Sequence, residues 1–236
     1  MDLKDKVAYI TGGSKGIGLG IARVLTAQGM RVAISGRNEG VLQDAASSLN
    51  PELVMTVVSD VTSLEDEERA IQAILAHWGR IDLVVANAGL GHFASVDELT
   101  TEQWNSMINT NLTGAFYTLK ASLPALKDSK GYYITVASLA GTNFFANGAG
   151  YNATKFGVVG FTQAVMLDLR PFDIKVSTIM PGSVATHFND NEPSEKDSWK
   201  IQPDDIGQLV LDLLKMHPRT LPSKIEVRPS RPDKRS

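Results

Sequence analysis

The stretch Val7–Gly18 has the sequence VAYITGGSKGIG, and it decides the fold. The apolar run Lys6–Ile10 predicts a first strand, and a helical pattern begins at Ile17. The turn and the helix start carry glycines at Gly12, Gly16 and Gly18, spaced as Gly-x-x-x-Gly-x-Gly, with a further glycine at Gly13. Glycine lets the backbone turn tightly and approach a ligand closely, and a helix N-terminus offers free N–H groups to phosphates. A strand, a glycine turn and a helix in this order favour a bound nucleotide over a turn without a ligand.

Outside this stretch, short apolar runs alternate with longer amphipathic stretches. The runs are rich in Val and Ile and mostly do not alternate with polar residues, which is typical of strands buried on both faces of a parallel sheet. Further strands are predicted at Arg31–Ser35, Leu53–Ser59, Ile81–Asn87, Tyr132–Ala137, Lys175–Met180 and Lys224–Val227. Helices are predicted at Ile17–Gln28, Glu39–Leu49, Leu64–His77, Thr101–Leu126, Gly150–Leu169 and Asp204–Met216, with a capping box of Thr100 and Gln103 before the fourth. The pattern predicts an α/β fold with a doubly wound parallel sheet.

Composition excludes several classes of function. The chain has 236 residues, of which 43% are hydrophobic, and we expect residues 1–236 to form a single domain. The net charge of −3 gives no basic surface for nucleic acid, and the basic cluster from Arg228 to Arg235 is interpreted as a solvated terminus. The absence of cysteine excludes disulfides and thiolate metal sites. We see no signal peptide, no metal-binding pattern and no apolar run of the roughly 20 residues that span a bilayer, so a cytoplasmic location is expected and no membrane partner.

Further motifs follow the predicted strands in order. Asn87-Ala88-Gly89 follows the fourth strand, Ser138 the fifth and Pro181-Gly182 the sixth, with Tyr151-x-x-x-Lys155 between the last two. Together with the Gly-x-x-x-Gly-x-Gly turn, they make the chain resemble the short-chain dehydrogenase/reductase family from Val7 to Thr186. The resemblance implies a Rossmann-like seven-stranded sheet of order 3-2-1-4-5-6-7, with the site at the carboxyl ends of the strands.

Four residues are candidates for catalysis. Reduction of a carbonyl needs a proton donor, and the Tyr151 hydroxyl has an unperturbed pKa of about 10. Lys155 lies four residues later on the same predicted helix, so we expect its charge to lower that pKa. Ser138 can hold the substrate oxygen beside Tyr151. Asparagine is unfavourable within a helix, and the resemblance implies that Asn111 anchors a water linking Lys155 to solvent.

The end of the second strand predicts the choice of cofactor. Enzymes of this architecture that use NAD carry an acid there, whereas this chain has Ile34-Ser35-Gly36-Arg37-Asn38. Arg37, with Lys15 from the glycine turn, is suited to a 2′-phosphate, which favours NADP(H). The resemblance implies that Asp60 accepts from the adenine amino group and that Thr186 lies near the carboxamide or pyrophosphate. The full set predicted to contact the cofactor is Gly12, Ser14, Lys15, Gly16, Ile17, Gly18, Arg37, Asp60, Val61, Asn87, Ala88, Gly89, Tyr151, Lys155, Pro181, Gly182, Val184 and Thr186.

The substrate remains open at this point. The pattern and resemblance predict hydride transfer between NADP(H) and a small-molecule carbonyl or secondary alcohol, as in carbonyl reductases, 3-oxoacyl reductases and hydroxy-acid dehydrogenases. The alternatives are a non-catalytic NADP sensor and a related epimerase or dehydratase. The segment His187–Pro203 is either a lid or a surface loop. The resemblance implies a homodimer or homotetramer paired through the helices after the fourth and fifth strands. Candidate pocket residues are Gly91, His92, Phe93, Leu139, Phe144, Phe145, Asn147, His187, Phe188 and Trp199.

Overall fold

Seven parallel strands form one sheet, and their order confirms the predicted topology. The strands are β1 (Val7–Thr11), β2 (Arg31–Gly36), β3 (Val54–Val58), β4 (Leu83–Ala86), β5 (Tyr132–Val136), β6 (Lys175–Pro181) and β7 (Lys224–Val227). Their order across the sheet is β3-β2-β1-β4-β5-β6-β7. The computed structural model describes residues 3–231, with the backbone alone at residue 190. The end of the basic cluster predicted from Arg228 to Arg235, and the first two residues, lie outside this range.

Helices cover both faces of the sheet. They are α1 (Gly16–Ala27), α2 (Glu39–Ser47), α3 (Leu64–Trp78), α4 (Thr101–Met107), α5 (Gly114–Ser129), α6 (Ala149–Leu169) and α7 (Pro203–Lys215). In β1, Ala8 and Ile10 point to the core under α1, α2 and α7, whereas Val7 and Tyr9 point to the core under α3, α5 and α6. Strands buried on both faces explain the continuous apolar runs of the sequence.

The polypeptide changes its direction of travel across the sheet at β1. The strand pairs with β2 on one side, with Ala8 opposite Val32, and with β4 on the other, with Ala8 opposite Leu83. The connections leaving β1 and β4 diverge here, and a crevice therefore opens at the carboxyl ends of these strands. The predicted position of the site follows from this topology.

The long helix predicted over Thr101–Leu126 is not one α-helix. The capping box of Thr100 and Gln103 is present, but a π-helical turn at Ile108–Thr113 separates α4 from α5. In this turn the Gly114 N–H bonds the carbonyl of Asn109, five residues back instead of four. The cause is tertiary, because the Asn111 side chain inside the turn hydrogen bonds Leu90 and Thr154.

Helices α1 and α7 pack at unusually close range. A Cβ atom on Gly20 would lie 2.6 Å from the carbonyl oxygen of Pro203, and one on Gly207 would lie 2.7 Å from the carbonyl oxygen of Gly20. Arg23 and Asp204 form a salt bridge across the same contact. The start of α7 is therefore held against the helix that follows the glycine turn.

A carboxyl group is buried between the sheet and α3. Glu67 is fully buried, and its Oε1 accepts hydrogen bonds from the Tyr9 hydroxyl (2.9 Å) and the Ser59 hydroxyl (2.6 Å). Its Oε2 and the nearby Thr118 hydroxyl have no hydrogen-bond partner. Among the described residues, they are the only buried side-chain polar atoms of which this is true. Burial raises the pKa of Glu67, and the hydrogen bonds from Ser59 and Tyr9 oppose that shift.

Candidate active site

A cavity of about 1730 Å³ runs along the carboxyl edge of the sheet. Its wall extends from Arg37 and Val41 at one end, past the glycine turn, to Tyr151 and Phe188 at the other. All the residues predicted to contact a cofactor line this cavity except Gly18. The structure therefore brings motifs from six strand ends into one continuous groove.

Gly18 lies behind the glycine turn. A Cβ atom there would lie 2.5 Å from the carbonyl oxygen of Gly12 and 2.6 Å from Nδ2 of Asn87. Gly18 does not line the cavity where a cofactor contact was predicted. It packs instead, because only glycine lets α1 approach the glycine turn and Asn87 this closely. Gly12 and Gly16 do line the cavity, with φ angles of +63° and +56° that side chains disfavour.

Asn87 joins the end of β4 to the glycine turn. Its Nδ2 donates to the carbonyls of Thr11 (2.9 Å) and Gly12 (3.1 Å). The hydroxyl of Thr11 in turn accepts from the backbone N–H groups of Asn87 (3.0 Å) and Ala88 (3.1 Å). These bonds cross the point at which β1 and β4 diverge, and they hold the crevice in shape.

The N-terminus of α1 carries no side-chain cap. Its N-cap residue, Lys15, makes no capping hydrogen bond, and no acid lies in the first turn. By contrast, α2 and α3 are capped by the side chains of Asn38 and Ser63. The first N–H groups of α1 are therefore free of a local side-chain acceptor and face the cavity.

Two cations flank the end of the cavity that lies beyond the carboxyl end of β2. Lys15 and Arg37 are exposed and line it, and neither forms a salt bridge with any residue between 3 and 231. After β3, one oxygen of Asp60 accepts from the N–H (2.9 Å) and hydroxyl (2.8 Å) of Thr62. Asp60 also lines the cavity, and its predicted contact with adenine stays a prediction.

Tyr151 and Lys155 lie in the first two turns of α6 and face the cavity together. Both are almost fully buried, and the Lys155 amine donates to the carbonyl of Val136 at the end of β5 (3.1 Å). Ser138 begins the short helical turn Leu139–Gly141, where its hydroxyl accepts from the Ala140 N–H (3.1 Å). Ser138 also lies close enough to Tyr151 to lower the pKa of its hydroxyl.

The ionisation of this pair differs from the prediction. Burial raises the pKa of Tyr151 to about 12, opposed by the nearby Ser138 hydroxyl. Burial likewise lowers the pKa of Lys155 to about 8. The expectation that Lys155 lowers the pKa of Tyr151 is wrong for this arrangement, because loss of water disfavours the charged form of both groups. The Lys155 amine is directed to Val136 and lies 5.6 Å from the centre of the tyrosine ring.

Asn111 lies outside the lining of the cavity and supports it from behind. Its Oδ1 accepts from the Leu90 N–H (2.8 Å), and its Nδ2 donates to the Leu90 carbonyl (2.8 Å) and to the Thr154 hydroxyl (3.0 Å). These bonds tie the loop after β4 to α6, one residue from Lys155. Both N–H groups of the amide are thus used within the protein.

Asn152 is a site residue that the sequence prediction missed. It is buried beside Tyr151, and its Nδ2 donates to the carbonyls of Ala140 (2.7 Å) and Asn143 (2.7 Å). The side chain therefore positions the loop that carries Ser138. The signal was available, since asparagine is as unfavourable within this helix as at Asn111.

Three phenylalanines surround the other side of Tyr151. Ring centres of Phe93 and Phe188 lie 5.3 and 5.7 Å from that of Tyr151, and Phe145 lies 5.9 Å from Phe93. The predicted pocket residue Phe144 is wrong, because its side chain is 86% exposed and does not line the cavity. Asn147 does not line it either, since it occupies a turn with φ of +63°. Phe93 is also absent from the lining, and it packs behind it against Tyr151. The other candidates do line the cavity: Gly91, His92, Leu139, Phe145, His187, Phe188 and Trp199.

Phe188 belongs to the segment predicted as a lid or a loop. This segment forms short helical turns at Phe188–Asp190 and Glu195–Asp197, and a bridge between Val184 and Ile201 closes its base. It borders the cavity, in agreement with the position predicted from its place after β6. In residues 3–231, no helix has the length and apolar character to cross a bilayer.

Comparison with known proteins gives consistent matches over nearly the whole chain. The family model described as short chain dehydrogenase matches residues 6–197. An uncharacterized oxidoreductase of Staphylococcus aureus (strain MRSA252) is 35% identical over 228 residues, which are 96% of this chain and 98% of the relative. The structure of an alcohol dehydrogenase from the archaeon Thermococcus sibiricus, complexed with 5-hydroxy-NADP, is 33% identical with a TM-score of 0.90 and covers 97% of this chain and 99% of its own. A 3-ketoacyl-(acyl-carrier-protein) reductase from Brucella melitensis, complexed with NADH, is 26% identical with a TM-score of 0.88, at 95% and 97% coverage.

Proposed function

The chain belongs to the short-chain dehydrogenase family of oxidoreductases, and from this premise we propose that it transfers a hydride between NADP(H) and a carbonyl or secondary alcohol of a small molecule. One observation carries the proposal. Tyr151, Lys155 and Ser138 meet at the wall of the same cavity that contains the glycine turn and Arg37. The Tyr151 hydroxyl, a potential proton donor, thus lies in a groove large enough for a nucleotide.

The residues present fit a phosphorylated dinucleotide. The uncapped start of α1 offers N–H groups to a pyrophosphate, and the glycines at Gly12 and Gly16 leave room for it. Arg37 and Lys15 are suited to an adenosine 2′-phosphate, and no acid at the end of β2 opposes them. At the other end, Lys155 is suited to the ribose hydroxyls. When bound, the reduced nicotinamide supplies the hydride.

The protein's own residues supply the proton and hold the substrate. Because the Tyr151 hydroxyl stays protonated well above neutral pH, it can donate its proton to the oxygen that becomes the alcohol. Ser138 donates a hydrogen bond to that same oxygen and orients it. The tyrosinate left behind accepts a hydrogen bond from the newly formed alcohol hydroxyl until it regains a proton. Asn111 and Asn152 hold the two loops that frame this arrangement.

Replacing Tyr151 with Phe tests the proposal. We expect oxidation of NADPH in the presence of ketones to fall by about 10²–10⁴-fold, the usual contribution of a general acid. Binding of NADPH, measured by fluorescence titration, should change little, because the ring remains in place. Tyr117→Phe, outside the cavity, serves as the matched control and should retain full activity. Substantial turnover by Tyr151→Phe would remove the tyrosine from the mechanism.

We further infer that copies of the chain pair through α5 and α6 to form a dimer or tetramer. Phe116 on α5 and Leu167 on α6 are large apolar side chains that are 45% and 56% exposed. Sedimentation equilibrium should give a mass of two or four chains, and Phe116→Glu should shift the protein toward monomer. A monomeric wild-type protein at micromolar concentration would contradict the inference.

A further inference from the structure

Three loops place aromatic rings on the substrate side of Tyr151. Phe93 follows β4, Phe145 follows β5 and Phe188 follows β6, and all three are between 37% and 48% exposed. Phe93 contacts both of the others, with ring centres 5.9 Å from Phe145 and 6.4 Å from Phe188. Large apolar side chains clustered at the mouth of a cavity mark a ligand surface. We call these three residues the aromatic wall.

Gly91 allows Phe188 to reach Tyr151. A Cβ atom at this position would lie 2.8 Å from Cζ of Phe188 and 3.1 Å from Cζ of Phe93. The φ angle of Gly91 is not positive, so the backbone itself does not require glycine there. The missing side chain therefore serves the placement of the ring.

The lysines and arginines near the aromatic wall already have partners within the protein. Lys200 binds Asp197 (2.6 Å) and Arg228 binds Glu226 (3.0 Å), while Lys155 donates to Val136. His187 lies 3.9 Å from Glu192. Other polar side chains here include the imidazole of His92 and the amides of Asn143, Asn189 and Asn191, which can hydrogen bond a neutral group. Of the described cations that line this end, Lys200 and Arg228 are in salt bridges and Lys155 is buried against the carbonyl of Val136, so none is directed at a substrate carboxylate.

We propose that the aromatic wall selects the substrate, that Phe188 is its specificity-determining residue, and that the substrates are ketones with an apolar, phenyl-sized substituent and not keto acids. This inference rests on the proposed function of the same site. The phenyl group packs against Phe145 and Phe188, which line the cavity and are supported by Phe93, while the carbonyl oxygen lies between Tyr151 and Ser138. Paired aromatic rings attract each other beyond simple burial, so a flat substituent is favoured over a small one.

The test compares acetophenone, which carries a phenyl ring, with acetone, which does not. Wild-type kcat/KM should be at least about tenfold higher for acetophenone. Phe188→Ala should lower kcat/KM for acetophenone by about tenfold and leave that for acetone within about twofold. Phe188→Leu should have a smaller effect, and Gly91→Ala, which displaces the ring without removing it, should act like Phe188→Ala. Phe144→Ala is the matched control and should change neither value, since that ring points away from the cavity.

Two kinetic outcomes would overturn the proposal. In one, Phe188→Ala lowers activity equally with both ketones; in the other, the wild type prefers pyruvate over acetophenone. If NADPH binds but no carbonyl is reduced, the proposed function is wrong. The role of the aromatic wall is then tested by the affinity of the protein for acetophenone. Calorimetry with acetophenone and the NADP⁺-bound protein should then show weaker binding to Phe188→Ala than to wild type. Equal binding would overturn the proposal in that case too.

Discussion

Arg37 and Lys15 are the two side chains on which we propose that cofactor choice depends. Both are exposed, both line the cavity, and both lack a salt-bridge partner in the described part of the chain. A solvated cation of this kind contributes little to stability but can bind a phosphate strongly. The solved relatives with NADP-type and NADH ligands indicate that the fold accepts both.

Replacing Arg37 with Asp should shift the cofactor preference toward NADH. A charge-assisted contact with phosphate contributes roughly 1.5–3 kcal/mol, so kcat/KM for NADPH should fall by about 10- to 150-fold. The value for NADH should stay level or rise, because the new carboxylate can accept from a 2′-hydroxyl. Arg219→Asp, an exposed site outside the cavity, is the control for the change in charge. An unchanged NADPH/NADH ratio would exclude Arg37 as the phosphate ligand.

Among the elements, α1 and α7 make a close contact near the site. Gly20 leaves no room for a side chain against Pro203, whereas Gly160 in α6 has no atom within 4 Å of the position of a Cβ. Both glycines lie inside helices, where alanine is intrinsically preferred by about 1 kcal/mol. An alanine side chain would therefore be crowded at Gly20 and would have open space at Gly160.

Gly20→Ala should destabilise the protein and Gly160→Ala should not. At Gly20, overpacking of about 1–3 kcal/mol exceeds the gain in helix propensity, so the free energy of unfolding should fall. At Gly160, only the gain remains, and stability should stay level or rise by up to about 1 kcal/mol. Urea denaturation of both variants decides the matter. Equal effects at the two sites would show that α1 and α7 are not in close contact.

Most elements were predictable because their signals are local. Strand and helix bounds agree with the sequence pattern to within a few residues, and strand ends that meet at one edge placed Tyr151, Ser138 and Arg37 together. The π-helical turn was missed because it depends on Thr154, which lies 43 residues from Asn111. The pKa of Tyr151 was predicted with the wrong sign, since it depends on burial by rings from loops distant in sequence.

For the whole molecule, Glu67 links stability to pH. Its pKa is raised in the folded state, so the folded protein keeps the proton when the unfolded chain has lost it. The contribution of Glu67 to stability is therefore full below its ordinary pKa of 4.5 and is lost as pH rises through the folded value. Asp82, whose pKa is lowered because bonds from Arg80, Val7 and Lys6 outweigh burial, contributes in the opposite direction.

Glu67→Gln should stabilise the protein at alkaline pH. The amide oxygen can still accept from Tyr9 and Ser59, and the new NH₂ group can donate to the Thr118 hydroxyl. We expect a gain of about 1–2 kcal/mol in the free energy of unfolding at pH 8, shrinking as the pH approaches 4.5. Glu68→Gln, at the exposed neighbouring position, is the control. A gain independent of pH, or a loss at pH 8, would contradict the account of Glu67.

The π-helical turn, which contains Asn111, determines which face of the following helix α5 is turned toward the sheet. An α-helix advances about 100° per residue, so the eight steps from Met107 to Ala115 would overshoot two full turns by about 80°. The wider turn absorbs most of this excess, and Met107, Asn111 and Ala115 are all buried along one line. Deleting one residue between Ile108 and Thr113 would rotate all of α5 by about 100° and turn its apolar stripe off the sheet. The number of residues in this turn is thus as constrained as their identity, whereas the exposed loop at His217–Thr220 can change length freely.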